Sequence, residues 1–243
     1  MRTKSWLRSM TSFLAAGAGI AAGAYGAYAA ITWYRYGRVS QADGPEGDGR
    51  LDRFMPVYEV VERHHVRVAA PAALTLAAAR EQDLLQLPLV RSIFKARALI
   101  LRATPDDRPQ PRGLLAATQA LGWGILLDMP DREVVVGAVT KPWEPNVTFR
   151  ALPPDDFAAF SEPGFVKIAW TLRADPVGGE ASIFRTETRA VATDASARAR
   201  FRRYWAFASP GIILIRQLSL RPLKREAEQR AQTARLHVPE LSW

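Results

Sequence analysis

Cysteine is absent from all 243 residues. That removes disulfides, thiolate nucleophiles, Cys-ligated zinc and iron–sulfur clusters together. Histidine is scarce: His64, His65 and His237 are the full complement. Three are too few for a His-rich metal site, which leaves only carboxylate sites open. G-x-S-x-G, a phosphate-cradling glycine loop and H-E-x-x-H are all missing, so the chain carries no hydrolase, nucleotide or metalloprotease signature. No cofactor and no metal is expected. Acidic residues number 24 against 33 Lys and Arg, a net charge of +9. Part of the excess lies near the C-terminus: Arg198, Arg200, Arg202, Arg203, Arg216, Arg221, Lys224 and Arg225. Such a basic face can attract an anionic surface or an acidic partner. No recognition motif accompanies it, so no nucleic-acid partner is expected.

Charge is also missing from residues 13–34. As a helix this run spans roughly 33 Å, against a hydrocarbon core of about 30 Å. Trp6 before it, and Trp33, Tyr34 and Tyr36 after it, resemble an interfacial aromatic belt. The expectation is a single-pass membrane anchor over residues 1–40, with 13–34 in the bilayer. Ala27-Tyr28-Ala29 would also suit signal-peptide cleavage, but the length of the run and its aromatic flank favour an uncleaved anchor. The positive charges leave the side carrying the domain open. Gly19 and Gly23 form a GxxxG pair suited to self-association. Residues 41–53, beginning QADGPEGDG, read as a flexible linker.

What is present beyond residue 53 is one domain, expected over 54–227, with a tail at 228–243. Residues 58–68 alternate as a strand, with Glu62 and His64 on the apolar face and His65 on the other. Helices are predicted at 72–82 and 87–101, with a shorter one at 113–121. Strands are predicted at 123–127, 133–139, 147–151, 165–174 and 181–191. In 165–174, Val166, Ile168, Trp170 and Leu172 face in, while Lys167, Thr171 and Arg173 face out. In 181–191, Phe184, Thr186, Thr188 and Ala190 share one face; Arg185, Glu187 and Arg189 alternate outward as surface charges. Asp194 is placed to cap a last helix carrying Phe201, Tyr204 and Trp205 at helical spacing. Pro210-Gly211 should kink or break that helix.

The order is strand, two helices, several antiparallel strands and a long C-terminal helix. Val66-Arg67-Val68-Ala69-Ala70-Pro71, Thr186-Glu187-Thr188-Arg189 and Phe201-Arg202-Arg203-Tyr204-Trp205 stand at the matching junction, last strand and last helix. On these the chain resembles the START/polyketide cyclase-like (SRPBCC) superfamily. The resemblance implies an α+β helix-grip fold: a curved antiparallel sheet wrapped around the last helix, enclosing an apolar cavity. It also implies a hydrophobic small molecule or lipid as ligand. The superfamily shares no catalytic motif, so no reaction follows from it.

The residues whose faces should converge on such a cavity are Trp170, Phe184, Thr186, Thr188, Tyr204 and Trp205. An apolar lining with a few polar groups is the usual make-up of a ligand site. Glu62 and His64, two apart on one strand, point the same way and form the only candidate acid–base pair. Three functions are thus expected in descending order: a small-molecule or lipid binder, a basic-helix interaction protein at a membrane surface, and a cyclase- or hydrolase-type enzyme.

Overall fold

The computed structural model describes residues 19–20, 22–38, 47–104 and 111–236. Its centre is a six-stranded sheet in the order β1-β6-β5-β3-β2, with a short β4 paired to β3. The strands are β1 (Val60–Val68), β2 (Gly124–Met129), β3 (Glu133–Thr140), β4 (Phe149–Arg150), β5 (Val166–Val177) and β6 (Ala181–Ala192). Every pairing is antiparallel. The helices are α1 (residues 22–35), α2 (Ala72–Glu81), α3 (Pro88–Leu101), α4 (Leu114–Ala120), α5 (Pro154–Ala159) and α6 (Ala195–Leu236). This is an α+β fold in the helix-grip arrangement, a curved antiparallel sheet with a long C-terminal helix laid across it.

Alternation decides which residues meet that helix. Val60 of β1, Val166 of β5 and Ala190 of β6 form one buried cluster with Phe201 and Trp205 of α6. Val68, Val134, Val136, Trp170, Leu172 and Phe184 form another with Leu223, Ala227 and Ala231, further along the same helix. Both clusters lie on one sheet face, because side chains two apart on a strand share a side. α6 itself starts as expected: the Asp194 carboxylate accepts from the backbone N–H of Ser196 (2.7 Å) and Ala197 (3.0 Å), satisfying two orphan donors of the first turn.

α6 does not break at Pro210-Gly211. It runs as one helix of 42 residues with Pro210 and Pro222 inside it. Packing along its length against α2 and β1 offsets the backbone bonds that the two prolines remove. Near the second, Gln82 donates to the Ser219 carbonyl at 2.8 Å, in the turn that Pro222 loosens. Gly211 has a separate role. A Cβ there would lie 3.0 Å from Ile93 Cγ2, so glycine is what lets α3 cross so close. The domain also does not end at 227, since α6 continues to Leu236 with Ala231 buried.

The opposite sheet face is not solvent. Residues 48–58 run across it as a strap. Leu51, Phe54 and Met55 bury themselves with Leu126, Val135, Val139, Ala169 and Phe157 of α5. The linker expected over 41–53 is therefore corrected at its C-terminal end, where Asp48 and Leu51 are buried and Leu51–Arg53 forms a 3-10 turn. Residues 41–46 lie outside the described residues. The charges expected on the surface are corrected too. Glu187 and Arg189 are 4% and 2% exposed, because the strap covers them.

The single-pass membrane location is corrected as well: no helix among the described residues is long and apolar enough to cross a membrane. Residues 1–18 and 21 lie outside the described set. The described part of the run, α1, together with Tyr36 just beyond it, instead contacts the domain through Tyr25 and through two of the aromatic residues that read as an interfacial belt, Trp33 and Tyr36. Tyr25 donates to the Phe207 carbonyl and meets its ring edge-on at 5.9 Å. Arg202 donates to the Trp33 carbonyl at 2.7 Å with its guanidinium over the Trp33 ring. Tyr36 donates to Glu59 at 2.7 Å. Gly19 and Gly23 face open space: a Cβ added at either would meet nothing within 4 Å.

Candidate ligand site

Four of the six residues read from the sequence as a lining sit on strands at the α6-facing side of the sheet. Thr188 lies opposite both Glu62 of β1 and Trp170 of β5, and Thr186 lies opposite His64. Glu62, Thr188 and Trp170 thus form one row across three strands, and His64 and Thr186 begin the next. Trp205 arrives from α6 and joins Val60 and Ala190. Tyr204 is on the flank: its ring stacks on Phe201 at 6.3 Å, and its hydroxyl accepts from Arg97 of α3 at 3.4 Å. Phe184 packs with Leu223 and Ala227 at the other end.

Packing along this face is uneven. The end around Trp205 and the end around Phe184 are closed by buried clusters. Between them Glu62, His64, Ile168 and Thr188 on the sheet, and Ile212, Ile215 and Arg216 on the helix, are only half-buried. The middle of the grip is therefore more open to solvent than its ends, although Trp170 and Thr186 within it are buried and Ile168 and Ile212 pack against the Trp205 cluster.

Three polar side chains in that middle are unusual. His64 Nε2 is buried with no hydrogen-bond partner. Burial lowers the His64 pKa first, and the nearby Arg216 charge lowers it further, so the imidazole is neutral at pH 7. Glu62 moves the other way, its carboxyl raised by burial alone. Arg216 is desolvated enough to pull its guanidinium down to about 10. Its contacts are Thr186 Oγ1 at 3.4 Å and the face of Trp170 at 5.2 Å. It forms no ion pair among the described residues.

Arg216 did not stand out in the sequence, where it was one cation in a basic group. The signal was its place on the stripe Trp205, Ser209, Ile212, Arg216, Leu223 and Ala227, which steps by three, four or seven residues along one helix side. Three other members of that basic group are already engaged. Arg198 pairs with Glu59, Arg202 with the Trp33 carbonyl and ring, and Lys224 with Glu228 at 3.7 Å. No cluster of His, Asp or Glu that could hold a metal ion occurs among the described residues. A shallow recess of about 500 Å³ lies elsewhere, between Leu74 and the far end of α6 at Glu226, Gln229, Arg230, Thr233 and Ala234. It is open to solvent and brings none of the residues above together.

The class these features define is a helix-grip domain with a polar row inside the grip. No family model matches the chain, and no curated protein matches it. Among solved structures it is similar to a norcoclaurine synthase from Thalictrum flavum, at 10% identity and TM-score 0.32, covering 70% of this chain and 95% of that one. A hypothetical protein from Helicobacter pylori is similar at 6% identity and TM-score 0.34, covering 79% and 99%. The Zhui aromatase/cyclase from Streptomyces sp. R1128 is similar at 16% identity and TM-score 0.25, covering 72% and 97%. At scores this low the assignment of the fold rests on the strand register and the α6 contacts.

Proposed function

We propose that this domain binds an apolar or amphipathic small molecule between the sheet and α6. The supporting observation is the half-buried middle of the grip, bounded at both ends by closed clusters. A fully closed core would leave none of these apolar side chains open to solvent. Here Ile168, Ile212 and Ile215 supply apolar walls, Trp170 a flat one, and Thr186, Thr188, His64 and Arg216 a few polar groups. That proportion is what ligand sites show.

The test fills the middle. Thr188→Phe places a ring between Glu62 and Trp170. With an accommodating space, the variant folds by circular dichroism and loses binding of the neutral probe N-phenyl-1-naphthylamine by about tenfold or more. If the grip is already solid, the wild-type protein does not bind the probe. The added volume then costs about 1–3 kcal/mol of stability instead, and the proposal is wrong.

A further inference from the structure

The arginines beneath the strap show how this chain treats a buried cation. Arg189 pairs with Glu187 at 2.6 Å and Asp52 at 2.5 Å. Arg173 and Arg185 share Asp175 at 2.9 Å each. Arg63 reaches Glu187 at 3.2 Å. Each is neutralised by a carboxylate of the same chain, as burial of a charge requires.

Among the described residues Lys167, Arg97 and Arg216 lack a carboxylate, but Lys167 and Arg97 donate to the Ala158 and Pro142 carbonyls at 2.8 Å and 3.2 Å; Arg216 reaches neither a carboxylate nor a carbonyl. It is desolvated, yet it forms no ion pair among the described residues, and one long contact to a threonine hydroxyl uses little of a five-donor group. The carboxylate available on the same face, Glu62, makes no ion pair with it. A second unmet group lies close by: the Nε2 of His64, opposite Thr186, is buried and unbonded. A cation without an anion and a ring nitrogen without a partner thus meet at one end of the half-buried space.

Building on the reading of the grip as a ligand site, we infer that the bound molecule carries an anionic oxygen group, a carboxylate, sulfonate or enolate, held by Arg216 and His64. The anion sits at the His64–Thr186 end. At the Glu62–Thr188 end a second carboxylate would repel it. The apolar body runs from Trp170 toward Ile168, Ile212 and Trp205. Neutral His64 meets the anion with Nε2 as its protonated nitrogen, donating one hydrogen bond while the guanidinium donates others.

The test compares two probes of the same aromatic skeleton, 1-anilinonaphthalene-8-sulfonate and neutral N-phenyl-1-naphthylamine, on the full chain. Arg216→Met is expected to weaken the sulfonate by about tenfold or more while the neutral probe changes by less than about twofold. Arg216→Lys is expected to recover part of the loss. If Arg216→Met affects both probes equally, or neither, the anion inference is overturned and the ligand site stands. If the wild-type protein binds neither probe, the ligand site itself falls. Should Arg216→Met fail to fold, His64→Leu takes its place. It must weaken the sulfonate more than the neutral probe, or the inference is overturned.

Discussion

At the scale of single residues, alternation was legible and cover was not. Residues two apart on β5 and β6 divide into faces as their hydropathy indicates, and Trp170 and Phe184 lie on the α6 side. What hydropathy did not carry is that Lys167, Thr171, Glu187 and Arg189 are also buried. A charged residue alternating with an apolar one reads as solvent-facing, because charges are rarely buried unless paired. Here Thr171, Glu187 and Arg189 are bonded to one another and to a strap distant in sequence, and Lys167 donates to the Ala158 carbonyl of α5, information that no local window holds. The pairing makes a sharp prediction. Arg189 donates to Glu187, Asp52 and the Met55 carbonyl, with its guanidinium over Tyr58. Arg189→Met keeps most of the volume but leaves Glu187 with only the longer contact to Arg63 and the Asp48 backbone N–H. Urea unfolding of the variant is expected to show a loss of about 3–5 kcal/mol, the cost of an unmatched buried charge. A loss below about 1 kcal/mol would mean that the network contributes no more than exposed pairs do.

Elements were recovered where periodicity is long and lost where it is short or broken by proline. β1, β5, β6 and α2 fall within a few residues of their predicted ends. β5 runs on through Asp175, Pro176 and Val177, past the strand end predicted at 174, and the reversal falls at Gly178, whose φ is 67°. α5, six residues beginning with Pro154, had no periodicity to display. α6 was legible as a helix but not as one uninterrupted helix, because the penalty for an internal proline is a local quantity and the packing that offsets it is not. The α3 crossing was equally invisible, although it gives Pro210-Gly211 a purpose. Gly211→Val would push a side chain into Ile93. The expected result is α3 displaced from α6: a stability loss of about 1–3 kcal/mol and faster amide exchange in 88–101, with β5 and β6 exchange unchanged. Unaltered exchange in α3 would show that the helix is not held by that contact.

For the molecule as a whole, the sheet is clamped from both sides: α6 on the inner face and the 48–58 strap on the outer. The strap is fastened by ionisable groups, so its hold depends on pH. Arg50 of the strap reaches Glu133 Oε2 at 2.5 Å, and Glu133 Oε1 is buried with no partner. Burial first, and then the neighbouring Asp48, raise the Glu133 carboxyl; Arg50 only partly opposes them, and the carboxyl ends at about 8. A carboxyl whose pKa is higher folded than unfolded holds a proton in the native state that the unfolded chain releases. Its stabilising effect is complete below the ordinary glutamate value and is lost as pH climbs through about 8. The wild-type protein should therefore lose stability as pH rises from about 4.5 to about 8 and level off above that, by an amount on the order of a few kcal/mol. Glu62, also raised by burial, acts in the same direction, so the wild-type slope alone does not identify Glu133. Glu133→Gln does: it keeps the shape, removes the titration, and should flatten most of the slope while leaving stability near pH 5 little changed. Urea midpoints of both proteins across that range measure this. A variant as steep as the wild type would place the pH sensitivity elsewhere and leave the strap as a clamp indifferent to protons.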